Sequence, residues 1–535
     1  MTNIKKLGAL ISRAAESRRT SLLLCLLAGA MGALPYYIET LFIFTFISLF
    51  CQFLLLIKQK KLQKRVFKPM LCFYIGFFTP IYLFLSELYP YSNFGFSKVQ
   101  AIFVLICSCI AIPLLHAFVV ACVMGVCSYF KSNAALLFGL PALCVIWEWV
   151  LSIGTLALPW ASVAVSMTGF LPYLQTASIF GKSFITFITA FGCCGFAISV
   201  CRRVKLHAIL GASAILFNTV FGVLLWFIPI ETNESFAVAA IQGNVLSNEK
   251  WDSENNGSIM ERYIDMTAEA AKNGADMIIL PESAIPQAFV PNGVIHRELT
   301  VIAEEYGCTI VAGVHFYDVE TKESYNAVIA VLPDGSGTLS ERYDKRHLVP
   351  FGEFMPFADT LSQILPFIES FNLSRTKLIE GDTPTVIETE YGGVGPLVCF
   401  DSIFPQFSSE AVNNGADIIA VVTNDSWFYD STGTYTHLRH SQLRAIENRR
   451  FILRAANTGV TAFINERGEI ITKTEPLVKD IAYGNAYTIE DKSVYCVIGD
   501  VFLYISFAII VLIIGIEYLK IVRRSKNGNN STASE

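Results

Sequence analysis

The sequence predicts a polytopic α-helical membrane module of about eight spans plus one α/β sandwich domain. Three observations predict it. Of 535 residues, 53% are hydrophobic and only 16% are charged, too apolar a balance for a single soluble domain. The apolar residues are gathered into runs of bilayer-crossing length. Between the last two runs lies a long acidic stretch in which helix-like and strand-like segments alternate.

The runs fall at about 21–37, 40–57, 69–88, 100–129, 133–155, 174–200, 207–230 and 496–519, where a transmembrane helix needs roughly 17–25 residues. Only Pro35-Tyr-Tyr-Ile-Glu39 separates the first two. Basic residues precede the first run as in a secretory signal, but the hydrophobicity continues into further spans, so an uncleaved first helix is expected. Cations cluster at 5–19, 58–68, 202–205 and 523–526, all on one side of an eight-span arrangement, and the 156–173 loop has no Lys or Arg. The positive-inside rule then puts both termini in the cytoplasm. The expected domains are 1–230, a membrane module of about seven helices; 231–495, an extracytoplasmic catalytic domain; and 496–535, a last span with a basic tail. Within the bilayer, Glu148 between Trp147 and Trp149 is costly to bury, so it marks a functional point or a hydrogen bond within the bundle.

The 231–495 segment holds 19 Lys+Arg against 38 Asp+Glu, an acidic balance that does not suit nucleic acid. Eleven of the fourteen cysteines lie in the apolar runs, where they read as small packing residues. Cys308 and Cys399 belong to the external domain. A disulfide between them is one reading outside the cytoplasm; the other is that Cys308 opens a buried strand, Cys308-Thr-Ile-Val-Ala-Gly313.

Along that domain, 262–273 has helical character and stops at Gly274, and 276–280 is a short buried strand stopped by Pro281. A second strand is expected over 309–316. Segments 326–332 and 338–343 flank Pro333-Asp-Gly335 and read as a hairpin. Another strand is expected over 394–400, and 408–413 leads through Gly415 into 417–422. Ala271-Lys-Asn-Gly-Ala-Asp-Met-Ile-Ile-Leu280 echoes Val412-Asn-Asn-Gly-Ala-Asp-Ile-Ile-Ala-Val421. Each is a helix end, a glycine stop and a buried strand, which suggests a sandwich with a site at the strand ends, although separate use of one common local grammar gives the same echo.

Three residues at such ends carry chemistry: Glu282 in Leu280-Pro-Glu-Ser283, Lys345 in Tyr343-Asp-Lys-Arg-His347 and Cys399 in Gly395-Pro-Leu-Val-Cys-Phe-Asp401. Singly, each has an ordinary explanation, as a solvated carboxylate, a surface lysine and a packing cysteine. Together they supply a base, a cation and a nucleophile for acyl transfer through a thioester. Lys182 in Gly181-Lys-Ser183 does not make a phosphate loop, because Thr176 stands where the first glycine is required. No zinc-type Cys/His spacing or dinucleotide fingerprint occurs in the external domain, so no metal and no cofactor are expected.

Leu280-Pro-Glu282, Lys345-Arg-His-Leu-Val-Pro-Phe-Gly-Glu353 and the Cys399 strand resemble the Glu-Lys-Cys signature of the nitrilase (carbon-nitrogen hydrolase) superfamily. With the flanking spans, the Lys345–Glu353 string resembles its membrane-embedded branch, the apolipoprotein N-acyltransferases. The resemblance implies a nitrilase-like αββα domain on an eight-helix module in a bacterial inner membrane, catalytic side outward to the periplasm. It implies a phospholipid acyl donor and a diacylglyceryl-apolipoprotein acceptor. Glu282 would be the base, Cys399 the nucleophile and Lys345 the oxyanion partner. Glu353 matches a further acidic position and either orients Lys345, assists proton transfer or is structural. Phe400-Asp401 departs from the Tyr-Glu pair common in that branch: Asp is one methylene shorter and Phe lacks the hydroxyl. Trp251 and Trp427 match family positions and line a substrate channel or pack in the core. The apolar stretch 354–368, with Phe357 and Leu361, either gates acyl chains at the bilayer or is a buried helix. Two other classes compete: a membrane-anchored amidase in which water resolves the thioester, and a transporter or receptor whose external domain only binds ligand. The coincidence of three catalytic contexts and a single intramembrane carboxylate stand against the second.

Overall fold

The computed structural model describes residues 18–61, 65–90, 97–250, 252–334, 341–358, 360, 363 and 378–532. Among these, eight helices are long and apolar enough to cross a membrane: Arg19–Tyr37, Glu39–Lys60, Phe67–Leu88, Lys98–Tyr129, Asn133–Val150, Ala177–Arg202, Lys205–Phe227 and Val501–Arg523. The chain is a membrane protein. Asn133–Val150 and Ala177–Arg202 are 72% and 67% buried, whereas Lys98–Tyr129, Lys205–Phe227 and Val501–Arg523 are each 17% buried, so the first pair forms the centre and the other three the lipid-facing rim. Arg19–Tyr37 and Phe67–Leu88 approach backbone to backbone. A Cβ on Gly29 would strike the Phe73 carbonyl, and one on Gly76 the Leu26 carbonyl, the small-residue contact by which helices associate in lipid. Glu148 accepts from the Val163 N–H at 2.8 Å and from the Thr186 hydroxyl at 2.9 Å, the bundle hydrogen bond of the two sequence readings.

The segment between the last two spans folds as two mixed sheets. The first contains β1 (Phe236–Gln242), β2 (Met277–Leu280), β3 (Ala288–Phe289), β4 (Thr309–Tyr317), β5 (Ser324–Val331), β6 (Tyr343–Asp344) and β13 (Asp480–Ala486), in order β13-β1-β2-β4-β5-β6 with β3 on β4. The second contains β7 (Ile387–Thr389), β8 (Gly392–Val398), β9 (Ile418–Thr423), β10 (Ile452–Ala456), β11 (Ala462–Ile464) and β12 (Ile470–Lys473), in order β12-β11-β10-β9-β8-β7. Each has a parallel centre, β1-β2-β4 and β10-β9-β8, fully buried and hence read in sequence as continuous apolar runs. The sheets face each other across Val238, Met277, Ile279, Val311, Val394, Val398, Ile418 and Val422. Helices Asn256–Lys272 and Val294–Tyr306 cover the outside of the first sheet. Helices Pro405–Asn413 and Thr432–Asn448 cover the second. The result is the four-layer αββα sandwich.

The sequence echo is one unit from each sheet. Gly274 and Gly415 both sit in the left-handed region (φ 84° and 105°), where glycine is strain-free, and each hands a helix over to a central strand, β2 or β9. The hairpin expected from 326–332 and 338–343 falls partly on 335–340, which lie outside the described residues; of the rest, Tyr343–Asp344 pairs back on β5, Ala327 against Asp344 and Val328 against Tyr343. Two expectations need correcting. The strand expected over 394–400 ends at Val398. The last span starts at Val501 rather than 496, since Val494–Ile498 is a separate short helix capped by Ser493 and closed at Gly499. Cys496 therefore lies in the core outside the second sheet, not in a span. Cys308 is buried under the helices of the first sheet, and both it and Cys399 are free thiols, which removes the disulfide reading.

Helix Thr432–Asn448, the docking helix, is buried along nearly its whole length although most of its residues are polar or charged. It lies between the second sheet and the spans. Arg439 donates to the Pro35 and Tyr36 carbonyls at 2.8 and 3.2 Å, and the Lys182 N–H donates to Glu447 at 3.2 Å. Arg449, just beyond its end, donates to Gln175 at 2.7 Å. Burial of these groups without such partners would cost several kcal/mol, about 1–3 for each orphaned group. Phe400, Ile403 and Phe404 join one continuous apolar core with the membrane helices.

Candidate active site

Cys399 follows β8 directly and opens a 3-10 turn, Cys399–Ile403. Its φ is 49°, a left-handed conformation that costs a non-glycine residue about 1–2 kcal/mol and persists only where its surroundings over-determine it. Here they do. The Ser402 hydroxyl donates to the Cys399 carbonyl at 2.7 Å, and His437 Nε2 lies 3.1 Å from the same oxygen. Burial pushes the thiol well above its ordinary pKa, with Glu282 adding to the effect and Lys345 opposing it. At rest the sulfur is protonated and needs a base.

Glu282 stands at the end of β2, brought against the next strand because Gly313 leaves no Cβ to strike the Pro281 carbonyl. Its carboxylate is fully engaged. Oε1 accepts from Lys345 Nζ at 3.1 Å and Asn326 Nδ2 at 2.7 Å, and Oε2 accepts from the Asn424 N–H at 2.8 Å. Asn424 follows β9, so the two halves of the sequence echo meet at this carboxylate. Burial alone would raise the Glu282 pKa, but Lys345, Asn326 and Lys250 hold it below the ordinary value.

Lys345, 1% exposed, is pinned by its backbone: its N–H donates to the Asn326 carbonyl and its carbonyl accepts from Gly381, both at 2.8 Å. Its ammonium bridges Glu282 and Glu353, the latter at 2.9 Å. Burial works against that charge, yet the two carboxylates hold the Lys345 pKa well above its ordinary value. The other oxygen of Glu353 accepts from the Val349 N–H at 2.8 Å, so Glu353 fixes both the loop and the ammonium.

Asp401 keeps a hydrogen-bond role despite its shortness. It is wholly buried and accepts from the Tyr343 hydroxyl at 2.9 Å and from the N–H groups of His347, Arg346 and Val398 at 2.9, 3.4 and 3.3 Å. It ties the Lys345 loop to the Cys399 turn. Burial pushes its pKa up to about 7, against the pull of Lys345, Tyr343 and the backbone donors. Phe400 needs no hydroxyl: its ring stacks on His347 at 5.6 Å and meets Phe404 edge-on at 5.3 Å. Asp401→Asn turns an amide N–H toward one of these donors. It is expected to lower stability by about 1–3 kcal/mol and turnover by roughly tenfold or more, checked by thermal unfolding alongside activity; wild-type values for both would discard the tie.

The structure thus brings Glu282, Lys345, Cys399, Glu353 and Asp401 together. Trp427 is half-buried in the turn after β9. Phe357 is 58% exposed at φ 55°. Trp251, Leu361 and most of the 354–368 stretch lie outside the described residues. Sequence reasoning missed Lys250 and Asn326. Lys250, 1% exposed, donates to the Glu282 carbonyl at 3.1 Å, and burial lowers its pKa to about 8, opposed by Glu282 and Cys399. Its only sequence signal was adjacency to Trp251. Among the described residues, Cys399, Asp425 and His437 offer ligand atoms within 4.8 Å of one another. Arg454 already holds Asp425 at 2.6 Å, so a cation there would face a guanidinium.

A thiol, a carboxylate and a doubly paired lysine stand at the strand ends of the αββα sandwich, and residues 237–486, which form it, match the carbon-nitrogen hydrolase family model. Residues 28–195 match the apolipoprotein N-acyltransferase N-terminal domain. The chain is 30% identical over 381 residues to an apolipoprotein N-acyltransferase of Geobacter metallireducens, covering 70% of this chain and 72% of that one. It is 31% identical over 348 residues to the one from Shewanella oneidensis, covering 62% and 64%. A solved structure, Nit3 of Saccharomyces cerevisiae, a nitrilase-superfamily member, aligns at 19% identity over 48% of this chain and 93% of that one, with a TM-score of 0.38. The chain belongs to the apolipoprotein N-acyltransferase family.

Proposed function

We propose that this N-acyltransferase moves an acyl chain from a phospholipid to the α-amine of the N-terminal diacylglyceryl-cysteine of apolipoproteins through a thioester on Cys399. Glu282 takes the Sγ proton as sulfur attacks the ester carbonyl. The oxyanion is met by Lys345 and the backbone N–H after Cys399. The ester C–O bond breaks, Glu282 returns the proton to the departing glycerol oxygen, and lysophospholipid leaves. The acceptor amine then attacks the thioester, Glu282 removes its proton, the C–S bond breaks and the amide is formed. Glu353 keeps Lys345 aimed throughout. No metal or cofactor takes part in these steps. The domain faces the periplasm of a bacterial inner membrane with both termini cytoplasmic, and Trp427 and Phe357 line the lipid approach.

One observation carries this reading: the Glu282–Lys345 pair, at 3.1 Å, stands beside a cysteine whose own turn packs into the core of the membrane helices. Purified enzyme given phospholipid and a diacylglyceryl peptide is expected to acylate the peptide amine. Release of free fatty acid without peptide acylation would replace transfer by hydrolysis. For the approach, Phe357→Ser is expected to cut lipid turnover several-fold with the melting temperature unchanged; full turnover in the folded variant would end the role given to Phe357.

A further inference from the structure

Beside Cys399, with ligand atoms of Asp425 and His437 within 4.8 Å of its sulfur, lies a buried polar group that the steps above do not use. His437, on the docking helix and 1% exposed, has Nδ1 2.8 Å from Asp425 Oδ1 and 3.2 Å from an Arg454 nitrogen. Asp425 is held in turn by Arg454 at 2.6 Å and by the Thr423 hydroxyl at 2.9 Å, and Arg454 is anchored on the Val460 carbonyl and the Ser441 hydroxyl, both at 3.2 Å. With Nδ1 so fixed, Nε2 points at the Cys399 carbonyl at 3.1 Å and at Ser402 Oγ at 3.0 Å. A carbonyl and a carboxylate can only accept, so the ring donates from Nε2 to the Cys399 oxygen and from Nδ1 to Asp425.

The Cys399 carbonyl and the Phe400 N–H belong to one rigid trans peptide unit and point in opposite directions. Whatever holds that carbonyl also aims that N–H. We propose that His437 is a positioning residue: by holding the Cys399 carbonyl from behind, it turns the Phe400 N–H toward the acyl oxygen as an oxyanion donor. The proposal rests on Cys399 being the acylated nucleophile. Asp425 and Arg454 set the ring's orientation, and Ser402 is a second tether on the same oxygen.

Two amides separate this role from packing. His437→Gln places an N–H near the Nε2 position and keeps a donor for the carbonyl, whereas His437→Asn keeps a partner for Asp425 but cannot reach Cys399. In single-turnover assays with phospholipid, followed by the acyl adduct on Cys399, His437→Asn is expected to slow acylation about 100-fold, the scale of losing one oxyanion donor, with little change in half-saturating lipid. His437→Gln is expected to regain at least tenfold of that. Iodoacetamide alkylates a thiol by displacement, with no oxyanion, so the alkylation rate of Cys399 is expected to stay within about threefold in both variants. Ser402→Ala, which leaves Asp425 untouched, is expected to slow acylation several-fold and provides the same test should the histidine variants fold poorly. Acylation of His437→Asn or Ser402→Ala at the wild-type rate, no advantage of Gln over Asn, or alkylation falling in step with acylation would each overturn the proposal. Absence of any acyl adduct on Cys399 in the unsubstituted enzyme would instead overturn the thioester reading beneath it.

Discussion

Cys399→Ser is expected to abolish both the acyl adduct and peptide acylation, with a loss on the order of 10⁴-fold or more. Serine keeps the size and the left-handed turn, so the change tests chemistry rather than folding. Its hydroxyl is a far weaker acid than a thiol, and Glu282, held below the ordinary carboxylate range, is too weak a base to activate it. Mass spectrometry of the enzyme after exposure to phospholipid checks the adduct, and transfer to a diacylglyceryl peptide checks turnover. Peptide acylation surviving in Cys399→Ser or Cys399→Ala would mean direct attack of the amine on the phospholipid, with no covalent intermediate.

Lys345→Met is expected to be almost as damaging and to add a signature in pH. Breaking a buried pair by removing one partner costs about 3–5 kcal/mol, and here the vacated ammonium leaves Glu282 and Glu353 sharing the amide of Asn326, at 2.7 and 3.1 Å. In the unsubstituted enzyme the Glu282 pKa is depressed. Its contribution to stability is present above the unfolded carboxylate pKa and is lost only as pH falls through the lower folded value. The acid limb of acylation therefore lies below the ordinary carboxylate range. Without Lys345, burial and the Glu353 charge both push the Glu282 pKa up. The sign reverses: the carboxylate destabilises the fold at neutral pH, stability recovers as pH falls toward the unfolded value, and the acid limb of the residual activity moves upward. A pH–rate profile of acylation with parallel thermal unfolding measures both. An unmoved acid limb in a folded Lys345→Met would show that Glu282 is not the titrating base.

Much of the architecture was legible because buried elements write themselves as apolar runs. The spans, the central strands β2, β4, β8 and β9 and the helix-glycine-strand echo all came through. Lys345 and Glu353 were legible only as a linear string. What did not come through were contacts with no local period. Asn326 lies on a strand that reads as an ordinary hairpin arm. Lys250 sits in a four-residue helix, Ser247–Lys250, too short for a pattern. The docking helix is dominated by charged and polar residues, which in sequence suggests a surface helix; Leu438 and Ala445 pack on the second sheet and Leu443 and Ile446 on the membrane-side core, and its polar partners explain why the rest is buried. Cys496 was misassigned for the opposite reason, an apolar stretch continuing without a break into a span.

The shared core of Phe400, Ile403 and Phe404 with the membrane helices has a consequence for how the protein comes into being. Seven of the eight spans precede β1 in the chain, so during synthesis the platform is in the bilayer before the residues of the Cys399 turn have left the ribosome. Domains fold as units in the order they are made, and the sandwich meets a lipid-side surface already built from seven spans to close against. The Cys399 turn thus takes shape after that surface, which serves as the mould in which it sets.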